Sequence, residues 1–254
     1  MRLRILAAAT AAALATLALP AAPAHANHAW SNYHWARTAN PFTIRLDSNI
    51  TSAWTSYLAV ASSDWTASTV LNTTIQTGSF GSRSSCTPTT GHVEVCNATY
   101  GQTGWLGVAS ISITTGNHIS RGSVKLNDTY FAQAQYNTPA YRQLVTCQEV
   151  GHTFGLAHQD ENFTNPNLGT CMDYTNSPGT NQHPNTHDYN QLVTIYSHVD
   201  SFNTPTLAGP VNAANYPAAW GKLVDGSATR GFGTFVREYG HGEYVVTHVL
   251  WVQR

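Results

Sequence analysis

The chain has 254 residues, of which 12 are Lys or Arg, 13 are Asp or Glu and 12 are His. A charged fraction of only 10% excludes a disordered acidic or basic chain, and it also excludes a nucleic-acid binder with a strongly positive surface. Aromatic residues make up 11% of the chain and supply the large apolar side chains that a folded core needs. The composition therefore predicts a globular protein, and we expect neither nucleic acid nor a membrane among its partners.

The first 26 residues have the three parts of an export signal. Arg2 and Arg4 form a basic start, residues 5–19 are an apolar run rich in Ala and Leu, and Ala24-His25-Ala26 fits the small-x-small pattern of a cleavage site. The apolar run is shorter than the roughly 20 residues that a membrane span needs. We predict a cleaved signal peptide over 1–26 and a secreted, extracellular monomer.

Four cysteines in an exported chain are expected to form two disulfides. Cys86 and Cys96 bracket a short turn-rich segment, while Cys147 and Cys171 flank the segment that carries the chemistry described below. Four cysteines allow three pairings, and we favour Cys86 with Cys96 and Cys147 with Cys171.

Periodicity in the next part of the chain predicts an α+β fold. Thr138 as N-cap and Pro139 in the first turn predict a helix to about Gly155, and a further helix is expected at 186–198. Strands followed by helices in this order favour a twisted mixed sheet with helices packed on it. The other predicted elements are strands at 42–47, 70–77, 91–96, 106–114 and 123–127 and a helix at 51–67.

The end of the chain has a different pattern. Pro205, Pro210 and Pro217 mark a linker, and strands are predicted at 220–224, 232–239 and 244–252. Gly240-His-Gly242 joins the last two as a small hairpin. We therefore predict a main domain over 27–202, followed by a linker and a β-rich tail over 203–254.

The helix from Pro139 carries the residues with chemical meaning. Gln148 and His152 are four residues apart and project from one face. A left-handed Gly155 would end the helix and let His158 approach the same point. Two imidazoles, a third donor and the adjacent carboxylate of Glu149 are what a hydrolytic zinc site uses.

This segment resembles the zinc helix of the metzincin metalloproteases, whose pattern is H-E-x-x-H-x-x-G-x-x-H. Glu149, His152, Gly155 and His158 match the pattern, and Gln148 stands in place of the first histidine. Downstream, Cys171-Met172-Asp173-Tyr174 resembles the Met-turn that lies beneath the zinc in this clan. The resemblance covers roughly residues 40–200, and it implies a metzincin-like domain with a zinc-site helix, a Met-turn and a following helix.

What the resemblance implies is a secreted zinc metalloendopeptidase. One zinc ion would be held by His152, His158 and Gln148, and Glu149 would act as general base on a metal-activated water. Tyr174, in the place of a tyrosine that lies at the metal in the astacin and serralysin branches, would stabilise the oxyanion. The strand at 106–114 would be the antiparallel edge strand to which a protein or peptide substrate adds.

Gln148 leaves a second interpretation open. Its carbonyl oxygen either binds the metal, as a weaker donor than imidazole, or its amide bonds to His152 or His158 in a metal-free fold that acts as an extracellular binding protein. Gly151, costly inside a helix, indicates close approach of another segment, for which 171–172 is the candidate. Four polar loop residues are less favoured substitute ligands: Asp160, Glu161, His183 and His187. An all-β carbohydrate-binding module is a third hypothesis, for the tail alone.

Overall fold

The structure is a computed structural model that describes residues 28–78, 82–206 and 220–253. The predicted signal peptide, and the part of the predicted linker at 207–219, lie outside the described residues. Within the described ranges, no helix has the length and apolar character that crossing a membrane requires.

The described residues form a mixed α+β fold, as predicted. The strand at 118–127 starts five residues before its predicted start. Two short elements, at 34–35 and 128–131, are not predicted, because they have too few residues to show a periodicity. The helices are α1 Ser52–Thr66, α2 Asp128–Phe131, α3 Pro139–His152 and α4 Thr186–Ile195, and two short 3-10 helices span Pro178–Thr180 and Thr204–Thr206. The strands are β1 His34–Trp35, β2 Phe42–Asn49, β3 Leu71–Thr77, β4 His92–Ala98, β5 Trp105–Thr114, β6 His118–Asn127, β7 Lys222–Ser227, β8 Phe232–Gly240 and β9 Glu243–Trp251.

All strands of the described residues belong to one mixed sheet in the order β3-β2-β4-β6-β5-β9-β8-β7, with β1 on β6. The four neighbouring strands β3, β2, β4 and β6 run parallel to one another, and β5 runs antiparallel to β6. The three strands of the tail continue the same sheet, since β9 pairs antiparallel with β5, and β8 and β7 follow outward. The tail is therefore a structural part of the main sheet.

The prediction that residues 106–114 form the edge of the sheet is wrong. β9 pairs along β5 from Trp251 opposite Trp105 to Tyr244 opposite Ile113. The physical reason is burial of apolar side chains together with backbone pairing. Val245, Val246 and Val249 of β9 are buried, so docking of β9 removes their side chains from water and gives the backbone groups of β5 hydrogen-bond partners.

Helix α3 packs against α1 and against β5 and β6. The hydroxyl oxygen of Thr138 accepts a hydrogen bond from the backbone N–H of Tyr141, and Pro139 occupies the first turn, so the predicted N-terminus of α3 is confirmed. Both favoured disulfides, Cys86–Cys96 and Cys147–Cys171, are also present. The second disulfide joins α3 to the loop that follows it.

Gly151 lies where α3 meets two other segments. A Cβ atom at this position would stand 2.6 Å from Cζ2 of Trp65 and 2.8 Å from Sδ of Met172. These distances are below van der Waals contact, so only glycine fits here without displacing a neighbour. The close approach expected of the 171–172 segment is confirmed, and Trp65 of α1 shares it.

Candidate metal centre

Two histidines of the predicted site meet where α3 ends. His152 is the last residue of α3, and its Nδ1 donates a hydrogen bond to the carbonyl oxygen of Leu156 at 2.8 Å. This bond leaves the lone pair of Nε2 free, which is the tautomer of a metal-binding imidazole. Gly155 has the left-handed φ of +91° that the sequence predicts, and the chain turns there. The ring of His158 thereby lies 4.6 Å from that of His152, centroid to centroid.

A third histidine joins this pair from the tail. His248 of β9 lies opposite Ala109 of β5, and its ring centroid is 4.2 Å from that of His152 and 4.7 Å from that of His158. One nitrogen atom from each of the three imidazoles lies within 4.8 Å of the others. We call His152, His158 and His248 the histidine cluster.

The sequence prediction does not include His248, because it places the tail in a separate unit and His248 is far in sequence from His152 and His158. One signal in the sequence could have indicated it. His248 falls in the same alternating register as Val246 and Leu250, and all three are buried. A histidine on the buried face of an apolar strand needs a polar partner or a metal, because an unpaired buried polar group is costly.

The cluster contains polar atoms that lack partners. Nε2 of His152, Nε2 of His158, Nδ1 of His248 and both carboxylate oxygens of Glu149 are buried and without a hydrogen bond to any protein group. Each such atom costs about 1–3 kcal/mol when it is left unsatisfied. Three imidazole lone pairs around one point are the donor set of a zinc ion with an open fourth position, so the residues present fit this metal.

Burial sets the charge of these groups. It lowers the pKa of His152 and of His248 to about 3 and the pKa of His158 well below its ordinary value, so all three are neutral, the form that binds a metal. Burial also raises the pKa of Glu149 to about 8, against the opposing effect of His152. The Oε2 atom of Glu149 lies 3.6 Å from Nδ1 of His248.

Tyr174 contacts two members of the cluster, since its ring centroid is 4.1 Å from that of His158 and its hydroxyl reaches His248. Its hydroxyl is 2.7 Å from Nε2 of His248, and its ring stacks on Phe163 and Phe232 at centroid distances of 4.8 and 5.2 Å. Since Nε2 is engaged with the phenol, the unpartnered Nδ1 is the nitrogen of His248 that remains for a ligand. The role predicted for Tyr174 at the oxyanion stays a prediction, and the contact observed is one that orients His248.

Gln148 bonds to the loop after α3, and the role predicted for it as a metal ligand stays a prediction. Its Nε2 donates to the carbonyl oxygen of Cys171 at 2.9 Å, and its buried Oε1 has no partner. It lines a small cavity with Leu144 and Phe163 that includes none of the three histidines. The third imidazole comes from His248, and the alternative hydrogen bond from Gln148 to His152 or His158 is not formed.

The four substitute ligands lie outside the cluster. Glu161 is nearest, with Oε1 at 3.8 Å from Nδ1 of His158, but its Oε2 pairs with Arg230 at 2.7 Å. His183 binds Asp64, His187 stacks on His28, and Asp160 accepts a hydrogen bond from the backbone N–H of Asn162.

The cluster opens into a cavity of about 330 Å³. Its walls come from three parts of the fold: the N-terminal segment, the end of α3 with the loop after it, and the tail. Other residues that line it are Trp30, Tyr33, Glu161, Asp225, Thr234 and Val236.

Known proteins that are similar to this chain are found among solved structures. No family model and no curated protein matches the chain. Among solved structures, the chain is similar to high choriolytic enzyme 1, a hatching enzyme zinc-protease from Oryzias latipes (medaka fish), with a TM-score of 0.36 and 12% identity over 68% of this chain and 98% of that one. A similarity at this level establishes neither a family nor a function for this chain.

Proposed function

We propose that the protein is a secreted, metzincin-like zinc hydrolase that cleaves peptide bonds, with zinc held by His152, His158 and His248. One observation carries the proposal. Three buried imidazoles with unpartnered nitrogen atoms converge beside the equally unpartnered carboxylate of Glu149, at the end of a water-accessible cavity. Two disulfides are compatible with the oxidising compartment that secretion implies.

Zinc bound to three neutral imidazoles would polarise a substrate carbonyl and lower the pKa of water. The residues of the chain then have separate tasks. With zinc bound, its positive charge would favour the carboxylate form of Glu149, which would take the proton from the attacking water and pass it to the leaving amine. Leu156 and Tyr174 would hold the rings of His152 and His248 in the orientation that presents their free nitrogen atoms.

Substrate entry differs from what the sequence predicts. An extended peptide cannot add to β5 while β9 occupies the position beside it. In our proposal the scissile bond enters through the cavity between Trp30, Glu161 and Val236, and binding along β5 would require the hairpin to leave.

A second function is favoured by the same hairpin. Because β9 covers the strand on which an extended substrate would lie, and the amide of Gln148 is bonded to Cys171, the fold also suits a non-catalytic extracellular binding protein. In that case the metal, if bound, would only stabilise the docking of the tail.

The experiment begins with the mature chain, stripped with chelator and loaded again with zinc. We expect one zinc ion held by the histidine cluster, and His248→Ala should weaken its binding by about 10-fold or more. His183→Ala is the matched control, since this side chain is 58% exposed and pairs with Asp64 outside the histidine cluster. Elemental analysis and competition with a zinc chelator measure the difference.

Activity is then assayed on a library of peptides. Glu149→Gln keeps the size of the side chain and removes the base, so we expect it to lower kcat by at least about 100-fold while zinc stays bound. Zinc that depends on His248 without any cleavage would favour the non-catalytic function. A well-folded protein that takes up no zinc at this cluster would overturn both the metal centre and the peptidase.

A further inference from the structure

A second group of histidines lies apart from the histidine cluster, around Asp200. Its members are His34 of β1, His118 at the start of β6, and His198 in the segment after α4. The Nε2 atoms of His34 and His198 are 3.1 Å apart, and they lie 3.6 and 3.8 Å from Oδ1 of Asp200. Two segments distant in sequence therefore bring two imidazoles and one carboxylate to a single point.

The tautomer of His34 is set by the backbone. Its Nδ1 donates to the carbonyl oxygen of Asn32 at 2.7 Å, so the lone pair of Nε2 faces His198 and Asp200. Burial lowers the pKa of His34, which keeps the ring neutral. Two imidazole nitrogen atoms at 3.1 Å need either a proton between them or a cation beside them.

The spacing of the three donors favours the cation. Ligands at zinc distances of 2.0–2.2 Å in a tetrahedron are about 3.4 Å from one another. The triangle formed by His34, His198 and Asp200 has edges of 3.1, 3.6 and 3.8 Å, close to that value. A single proton between the two rings would explain the shortest edge but not the approach of the carboxylate oxygen to both rings.

The surroundings hold the carboxylate in place. Nη1 and the backbone N–H of Arg37 donate to Oδ2 of Asp200 at 3.0 and 3.2 Å, which leaves Oδ1 to the histidines. His118 contacts the same Oδ1 through Nε2 at 3.2 Å. The positive charge of Arg37 lowers the negative charge available to a cation, so binding here should be weaker than at the histidine cluster.

The group lines a pocket of about 470 Å³, whose other walls include Ser31, Gln191 and Thr194. Water can therefore supply the ligand positions that the protein leaves open. Nitrogen donors exclude calcium and magnesium as the preferred ions and select a divalent transition metal. We propose that His34, His198 and Asp200 form a second, solvent-open site for a divalent transition metal cation of the zinc type.

The test uses zinc itself and does not depend on activity. The stripped protein is titrated by calorimetry in the His248→Ala background, which removes a ligand of the other cluster. In this background we expect His198→Ala to raise the Kd of one zinc equivalent at least 10-fold. Adding His183→Ala instead is the matched control, because the side chains of His183 and His198 are similarly exposed, at 58% and 51%.

Cobalt gives a second readout, since its visible absorption reports the geometry of the ligands. We expect the spectrum of cobalt in the His248→Ala protein to be lost with His198→Ala and kept with His183→Ala, while circular dichroism shows that all three are folded. If His248→Ala does not fold, the wild type and His198→Ala are compared for the loss of one equivalent. The proposal is overturned if zinc binding is unchanged by His198→Ala and by His34→Ala, which would make the group a hydrogen-bonded network without a metal.

Discussion

At the scale of single residues, burial decides the chemistry of this protein. The imidazoles of the histidine cluster are neutral because the interior disfavours their charged form. Two of the three rings are each oriented by one hydrogen bond, from His152 to Leu156 and between His248 and Tyr174. A residue type in a motif therefore indicates a candidate ligand, and the partners around it determine which nitrogen is presented.

Burial has a measurable consequence at a carboxylate outside the histidine cluster. Glu94 of β4 is fully buried, its oxygens accept hydrogen bonds from Thr89 and Asn49 at 2.6 Å each, and burial nevertheless raises its pKa from 4.5 to about 7. The folded protein thus binds the Glu94 proton more tightly than the unfolded chain does.

The free energy of unfolding should therefore fall as the pH rises from about 4.5 to about 7, and this contribution should not change above pH 7. Glu94→Gln cannot ionise, so we expect its stability relative to the wild type to improve by about 1–3 kcal/mol between pH 4.5 and pH 8. Urea unfolding of both proteins at the two pH values measures this. A difference that does not change with pH would show that Glu94 ionises normally in the folded state.

At the scale of elements, α3 and the segment after it form one unit. Cys147–Cys171 links them covalently, and Gly151 lets Trp65 and Met172 contact the helix directly beside His152. The position of the two ligands from this part of the chain depends on that packing, because His152 ends the helix and His158 follows the turn at Gly155.

Gly151→Ala tests this packing. The added methyl group would overlap Trp65 and Met172, and overpacking of this kind costs about 1–3 kcal/mol, against a gain of up to about 1 kcal/mol in helix propensity. We expect a net loss of stability of about 1–2 kcal/mol together with weaker zinc binding. Gly179→Ala is the control, since a Cβ there meets nothing within 4 Å and should leave both quantities unchanged. Denaturant unfolding and zinc titration provide the readouts, and equal behaviour of the two variants would argue against a tight contact at Gly151.

At the scale of the whole molecule, the tail decides both the metal ligands and the access to them. β9 supplies His248, covers β5 and leaves the cavity of about 330 Å³ as the route to the cluster. The same docking joins the tail to the core, where Phe232, Val246 and Leu250 are buried.

Hydrogen exchange tests the docking without any variant. Since β5 lies between β6 and β9, its amide groups face the two neighbours alternately, and we expect both sets to exchange slowly. The amides of β7 that face away from β8 are an internal control and should exchange fast, because β7 ends the sheet. Fast exchange of every second amide in β5 would mean that the hairpin is undocked and that β5 is free to receive a peptide.

The parts of this protein that can be predicted from sequence are those with short-range causes. Thr138 and Pro139 start a helix through local hydrogen bonding and a fixed φ. Gly155 turns the chain after the helix, so that His158 approaches His152, because glycine tolerates a positive φ. The alternation of β9 likewise predicts a strand at nearly its observed bounds, without predicting what it pairs with.

By itself, the sequence determined the α+β composition, both disulfides, the helix that carries His152 and the turn that brings His158 to it. Only the tertiary structure decided that His248 joins His152 and His158, that the amide of Gln148 donates to Cys171, and that β5 is an inner strand. The reason is that pairing between distant strands leaves no local periodicity, and a shift of β9 by one residue would turn His248 to the opposite face of the sheet.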